Sequence, residues 1–186
     1  MSNDMSQTVP PKAAPNGENP RRGALVYVAV AFALIAMLAA LPFLASRPRP
    51  APDFAMTTLA GEAKTLETLA GRPVLVSFWS TTCGPCMNEM PSLIAVHRRY
   101  ARKGLVTLAV AMPYDRRDEI ARVVRSQGMP FDIVHDADGS LARMFDDTQN
   151  TPTKFLIDPS GRIIKIYVGS THFPDLIERL EGMLST

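Results

Sequence analysis

The chain has 186 residues, enough for one ordinary domain and an extension but too few for two full domains. Its 20 Lys+Arg against 18 Asp+Glu leave a net charge of +2, which gives no electrostatic case for binding nucleic acid. Only two cysteines occur, both inside Cys83-Gly84-Pro85-Cys86, which argues against a scaffold stapled by scattered disulfides.

Residues 1–22 are polar, with Pro10, Pro11, Pro15 and Pro20, and show no periodicity; they read as a disordered tail on the cytoplasmic side. Residues 23–45, GALVYVAVAFALIAMLAALPFLA, carry no charge. The run meets the roughly 20 apolar residues that a bilayer-spanning helix needs. It exceeds the apolar region of a cleaved signal peptide and ends in Phe43-Leu44-Ala45, so a retained signal anchor is expected. Lys12, Arg21 and Arg22 precede the run while Arg47 and Arg49 follow it, a bias that points the N-terminus inward. Residues 46–52, SRPRPAP, read as an extended spacer, because alternating prolines disfavour helix and sheet. Residues 53–186 form the globular domain.

Within that domain, strands are predicted over 73–79, 105–111, 131–134, 154–157 and 162–168, from short apolar runs bounded by turn residues. Helices are predicted from Gly84 to about Arg102, from Asp115 onward with Ile120, Val123 and Val124 on one face, over 140–145, and over 173–184 with Leu176, Leu180 and Met183 inward. Asp115 reads as the cap of its helix. Asp136-Ala137-Asp138-Gly139 lacks the ligand spacing of a calcium loop and reads as a turn and cap. Strand–helix alternation followed by a hairpin and a last helix implies an α/β layered fold with a mixed sheet.

Cys83 leaves a buried strand and opens a helix. Free N–H groups at a helix N-terminus favour negative charge, so a thiolate is stabilised there. The thiolate is the nucleophile of disulfide exchange. Cys83 is therefore the expected attacker, and Cys86, one turn on and more buried, the expected resolver of the mixed disulfide. A structural bridge over so short a loop would gain little from loop closure. A metal site needs more ligands than the pair supplies, and only His97, His135 and His172 are available to complete one; a copper metallochaperone is the alternative of another class.

Val74 to Pro91, VLVSFWSTTCGPCMNEMP, resembles the thioredoxin superfamily, specifically its membrane-anchored TlpA/ResA-like branch. Asp53-Phe54, Leu66…Leu69-Ala70-Gly71, and Thr151-Pro152-Thr153 leading into Lys154-Phe155-Leu156-Ile157-Asp158 are similar to the same branch. The resemblance implies a thioredoxin-like fold behind an N-terminal transmembrane helix. It also implies a cis Pro152 beside a redox-active Cys83–Cys86 disulfide, and a substrate segment bound along Thr151. An acid often follows the second cysteine by one turn in this branch; Glu89 stands there, either as acceptor of the Cys86 proton or as a solvated surface carboxylate. A proline inside the active-site helix, here Pro91, fits the same pattern.

Two positions depart from the pattern. Ser77 stands where thioredoxin has a buried acid, and Thr82 where the branch usually has tryptophan, so the surface beside Cys83 is less apolar. The resemblance implies a protein-disulfide reductase that needs no cofactor, held in a bacterial inner membrane by a single pass with its domain in the periplasm. Its substrate would be a disulfide of an exported protein, such as apocytochrome c or a copper-site protein, and its electrons would come from a transmembrane thiol donor. Oxidation or isomerisation would use the same two cysteines. A thiol peroxidase is a further alternative: Ser80 fits its motif, but Val76 stands where that motif needs proline.

Overall fold

The computed structural model describes residues 30–39 and 48–185. The expected tail over 1–22 lies outside the described residues, as does the 23–45 run except for 30–39, which are helical. Among the described residues no helix is long and apolar enough to cross a membrane.

The domain's strands are β1 (Arg49–Pro50), β2 (Ala55–Thr57), β3 (Ala63–Thr65), β4 (Val74–Trp79), β5 (Val106–Ala111), β6 (Asp132–His135), β7 (Thr153–Ile157) and β8 (Arg162–Val168). Its helices are α1 (Gly84–Tyr100), α2 (Arg117–Gln127), α3 (Ser140–Met144) and α4 (Phe173–Leu184). Six strands form one sheet in the order β1-β8-β7-β4-β5-β6. β4, β5 and β6 run parallel, β7 pairs antiparallel with β4, and β8 pairs antiparallel with β7, so the mixed α/β sheet is as expected.

β4 is central and buried along its whole length, which is why it reads as a continuous apolar run rather than an alternating one. Side chains alternate across a strand. Leu75 and Trp79 accordingly enter one core with Cys86, Met90, Leu93 and Tyr100 of α1 and with Leu176 and Leu180 of α4. Val74, Val76 and Phe78 enter the opposite core, where Phe54, Phe78, Phe145 and Phe155 stack with ring centroids 5.0 to 6.0 Å apart. The buried stripe of α1 is Cys86, Met90, Leu93, Ile94, Val96 and Tyr100, with Met87 half-buried beside it. Pro91 lies inside α1, which continues through it.

Two features differ from the sequence reading. The spacer enters the sheet despite its prolines: Arg49 and Pro50 pair with Ile163 and Arg162, and the Ala51 N–H donates to the Gly161 carbonyl at 2.9 Å. Pro50 tolerates this because an edge strand does not need its missing N–H. Asp115 does not cap α2 either. The N-cap is Arg116, which makes no side-chain cap bond, and the Asp115 carboxylate turns inward. Asp118 and Glu119 supply the negative charge in the first turn. Gly128 ends the helix at φ 61°, a left-handed conformation that glycine adopts without a Cβ penalty.

The turn before α3 behaves as read. Asp136 is 2% exposed, and its carboxylate accepts the N–H groups of Leu141 at 3.0 Å and Ala142 at 2.8 Å. Asp136→Ala is expected to lower the unfolding free energy by about 1–3 kcal/mol, since two buried donors lose their partner. The midpoint of urea denaturation checks this.

On α4, Asp175 receives the Arg179 guanidinium at 3.0 Å and the Tyr167 hydroxyl at 2.6 Å. Arg179 first, then Tyr167, hold its carboxyl down at about 2. Burial, reinforced by the bond to Asp175, pushes the Tyr167 phenol above its ordinary value. A depressed carboxyl stabilises the fold above its unfolded value of about 3.9, and that contribution is lost as pH falls through the folded value. The stability gap between the native chain and Asp175→Asn is therefore expected to shrink between about pH 4 and about pH 2. Acid titration followed by circular dichroism reads it.

Candidate active site

Trp79 ends β4, and the three residues Ser80-Thr81-Thr82 carry the chain to Cys83. Cys83 is the N-cap of α1 in an extended conformation, and its Sγ accepts the Cys86 N–H at 3.1 Å. Pro85 sits in the first turn, where its missing N–H costs nothing. Cys83 and Cys86 are joined as a disulfide with Cα atoms 5.2 Å apart. Cys83 is half-exposed, whereas Cys86 is 1% exposed within the core against Trp79 and Met90. The two sulfurs thus face different surroundings, one open to a macromolecule and the other shielded from it.

The Thr151–Pro152 bond is cis. Phe78 pairs with Thr153, so one step further along β7 brings Pro152 level with Trp79, at the end of the sheet from which Cys83 emerges. Pro152 is buried and its carbonyl accepts the Gly169 N–H at 2.8 Å, while Thr151 is half-exposed. Topology therefore brings residues about seventy positions apart to one end of the sheet.

Glu89 is not a solvated surface carboxylate. Its side chain is 12% exposed and takes the Lys154 ammonium in a buried ion pair, with Lys154 1% exposed. The other carboxylate oxygen accepts the Thr171 N–H at 3.2 Å. Burial pushes the Lys154 amine below the ordinary lysine range, opposed by the charge of Glu89. Lys154 lies in the sheet between Ser77 of β4 and Tyr167 of β8. A lysine inside a strand that is buried throughout was the signal available in the sequence, because a buried ammonium needs a carboxylate partner. Which carboxylate answers it is decided by α1 crossing the sheet.

Asp115 was the second residue whose role lay beyond local reading. Its buried carboxylate accepts the Ser80 hydroxyl at 2.9 Å, the Thr81 hydroxyl at 2.8 Å and the Thr81 N–H at 3.0 Å. Ser80 Oγ in turn contacts Thr82 Oγ1 at 3.0 Å and accepts the Thr82 N–H at 3.2 Å. The loop that presents Cys83 is therefore tied to the loop between β5 and α2. Among the described residues no group of three or more His, Cys, Asp or Glu side chains is arranged to hold a metal ion. His135 keeps a buried Nε2 without a hydrogen-bond partner.

Residues 48–166 match the AhpC/TSA family. The thioredoxin-like protein YneN of Bacillus subtilis is 32% identical over 135 residues, covering 70% of this chain and 76% of that protein. The thiol-disulfide oxidoreductase ResA of Geobacillus thermodenitrificans is 31% identical over 133 residues, covering 72% of this chain and 75% of its own. Among solved structures, a thioredoxin candidate from Neisseria meningitidis superposes with a TM-score of 0.69 at 33% identity, covering 75% of this chain and 93% of that one. A thiol:disulfide interchange protein of the thioredoxin family from Chlorobium tepidum superposes with a TM-score of 0.67 at 26% identity, covering 74% and 97%. Likeness over the domain, from β1 into β8, agrees with the fold drawn by the strands and with the paired cysteines at its sheet end. The chain belongs to the thioredoxin-like AhpC/TSA family and is a thiol–disulfide oxidoreductase.

Proposed function

We propose that the chain is a membrane-anchored reductase of disulfides in exported proteins, with Cys83 as attacking thiolate and Cys86 as resolver. The observation that carries this reading is the pairing of a half-exposed Cys83 with a buried Cys86 at the N-terminus of α1. The helix N-terminus and the Cys86 N–H favour negative charge on Cys83 Sγ. In the reducing direction, Cys83 thiolate attacks a substrate disulfide, forming a mixed disulfide and releasing one substrate thiolate. Cys86 then loses its proton and attacks Cys83 Sγ, which closes the protein disulfide and releases the second substrate thiolate. Two electrons pass from the protein dithiol to the substrate. Glu89, one turn after Cys86, takes the Cys86 proton. The half-exposed Thr151 offers its backbone to an extended substrate segment beside Pro152.

The resemblance to the TlpA/ResA-like branch favours cysteines of apocytochrome c or of a copper site as substrate, and a transmembrane thiol carrier as electron donor. The uncharged run 23–45, with its basic N-terminal flank, supports a single span and a periplasmic domain. Equilibration of the full chain in defined thiol–disulfide buffers, with alkylation as readout, tests the direction. A potential near the thioredoxin end of the range, about −270 mV, supports a reductase; one near about −120 mV makes the chain a disulfide donor. Extraction of membranes at alkaline pH tests the anchor: a chain that leaves with the wash is not spanning.

A further inference from the structure

The proposed reaction uses Glu89 but leaves its partner unexplained. Lys154 is 1% exposed and makes its ion pair with a carboxylate that is itself 12% exposed. A buried lysine is costly to keep, and replacing such a pair by apolar residues is often neutral or stabilising. Packing alone therefore gives no reason for an ammonium in the middle of β7. Its location is informative. Glu89 stands three residues after Cys86 on α1, so the two side chains share one helix face. Lys154 approaches that face from the sheet below, and the Thr171 N–H reaches the carboxylate from the loop before α4.

We propose that Lys154 is a positioning residue that holds the Glu89 carboxylate aimed along the Cys86 face, so that Glu89 can take the Cys86 proton. This rests on the reading of Glu89 as that acceptor. The physical reason is charge: only an ionised carboxylate can accept a proton, and an adjacent ammonium favours that form. The Lys154 ammonium, with the Thr171 N–H, favours the carboxylate. Once Cys86 gives its proton to Glu89, the bond to carry the reaction forms between Cys86 Sγ and Cys83 Sγ, the mixed disulfide breaks, and the substrate thiolate leaves. The ionisable groups set against Lys154 are Glu89 from α1 and, beside it in the sheet, Tyr167 from β8. Behind Tyr167 stand Asp175 and Arg179 of α4, paired with each other, so the charge most directly set against Lys154 is that of Glu89.

The test uses the full chain in its reduced form and a symmetrical aryl disulfide, which releases one coloured thiol on attack by Cys83 and a second on resolution by Cys86. The first phase is the internal reference, and the second is followed from about pH 6 to about pH 9. Lys154→Met is expected to move the midpoint of the second phase up by about one pH unit or more, to slow it about tenfold at pH 7, and to let it recover at high pH. Glu89→Gln is expected to slow the second phase throughout, and Glu89→Gln/Lys154→Met to match Glu89→Gln. A Lys154→Met midpoint equal to that of the native chain, with Glu89→Gln altered, overturns the role of Lys154 and leaves Glu89 standing. A native profile for Glu89→Gln removes the acceptor reading and the proposal with it. If Lys154→Met does not fold, the comparison of Glu89→Gln with the double variant decides, since the double variant leaves no unpaired buried charge. A double variant slower than Glu89→Gln assigns Lys154 to packing and overturns the proposal.

Discussion

Cys86→Ser is expected to accumulate as a stable mixed disulfide through Cys83, while Cys83→Ser captures nothing. Turnover of either variant should fall by on the order of a thousandfold or more, as when other catalytic nucleophiles are removed. The asymmetry follows from burial. Cys83 is half-exposed at the mouth of α1, and a substrate disulfide can reach it. Cys86 is 1% exposed, with Trp79 and Met90 in the same core, and can meet only a sulfur already delivered to Cys83. A serine hydroxyl at position 86 is too weak a nucleophile to release that sulfur. Intact mass under non-reducing conditions, after incubation with a disulfide-bonded peptide, distinguishes the two variants directly. Equal capture by both would mean that either cysteine can attack, which contradicts the difference in burial.

Asp115→Ala is expected to cost about 3 kcal/mol of stability. Its carboxylate gathers three donors from Ser80 and Thr81 in a buried position, and bonds to a charged acceptor are worth about 1.5–3 kcal/mol each, with incomplete additivity. Asp115→Asn should lose about half as much, because one amide oxygen still accepts while the NH2 faces donors. Urea denaturation gives both numbers. The same loop presents Cys83, so alkylation of the reduced protein should show a slower Cys83 in Asp115→Ala than in the native chain. An unchanged denaturation midpoint would mean that the three contacts contribute nothing to holding the loop.

Much of the fold was legible because its signals are local. The apolar run of β4, the stripe of α1 and the turn between β7 and β8 are each readable within a few residues. β1, β2 and β3 were not, for a related reason: each has two or three residues, and none carries enough apolar pattern to announce itself. They exist through partners, β1 against β8 and β2 against β3. Asp115 shows how a local rule fails. An acid before a helix reads as a cap, but three donors 34 and 35 residues away offered it better bonds in a buried position, and Arg116 was left to start α2 without a side-chain cap.

By itself, the sequence determined the chemistry: two cysteines one helical turn apart, at the junction of a buried strand and a helix, with proline and glycine suited to that junction. It also determined the α/β alternation, because backbone periodicity and turn residues act over short range. Only the tertiary structure decided which charges meet. Lys154 finds Glu89 across 65 residues, and Thr171 finds the same carboxylate across 82. Such pairings follow from how a helix crosses a sheet, a relation between surfaces that no window along the chain contains.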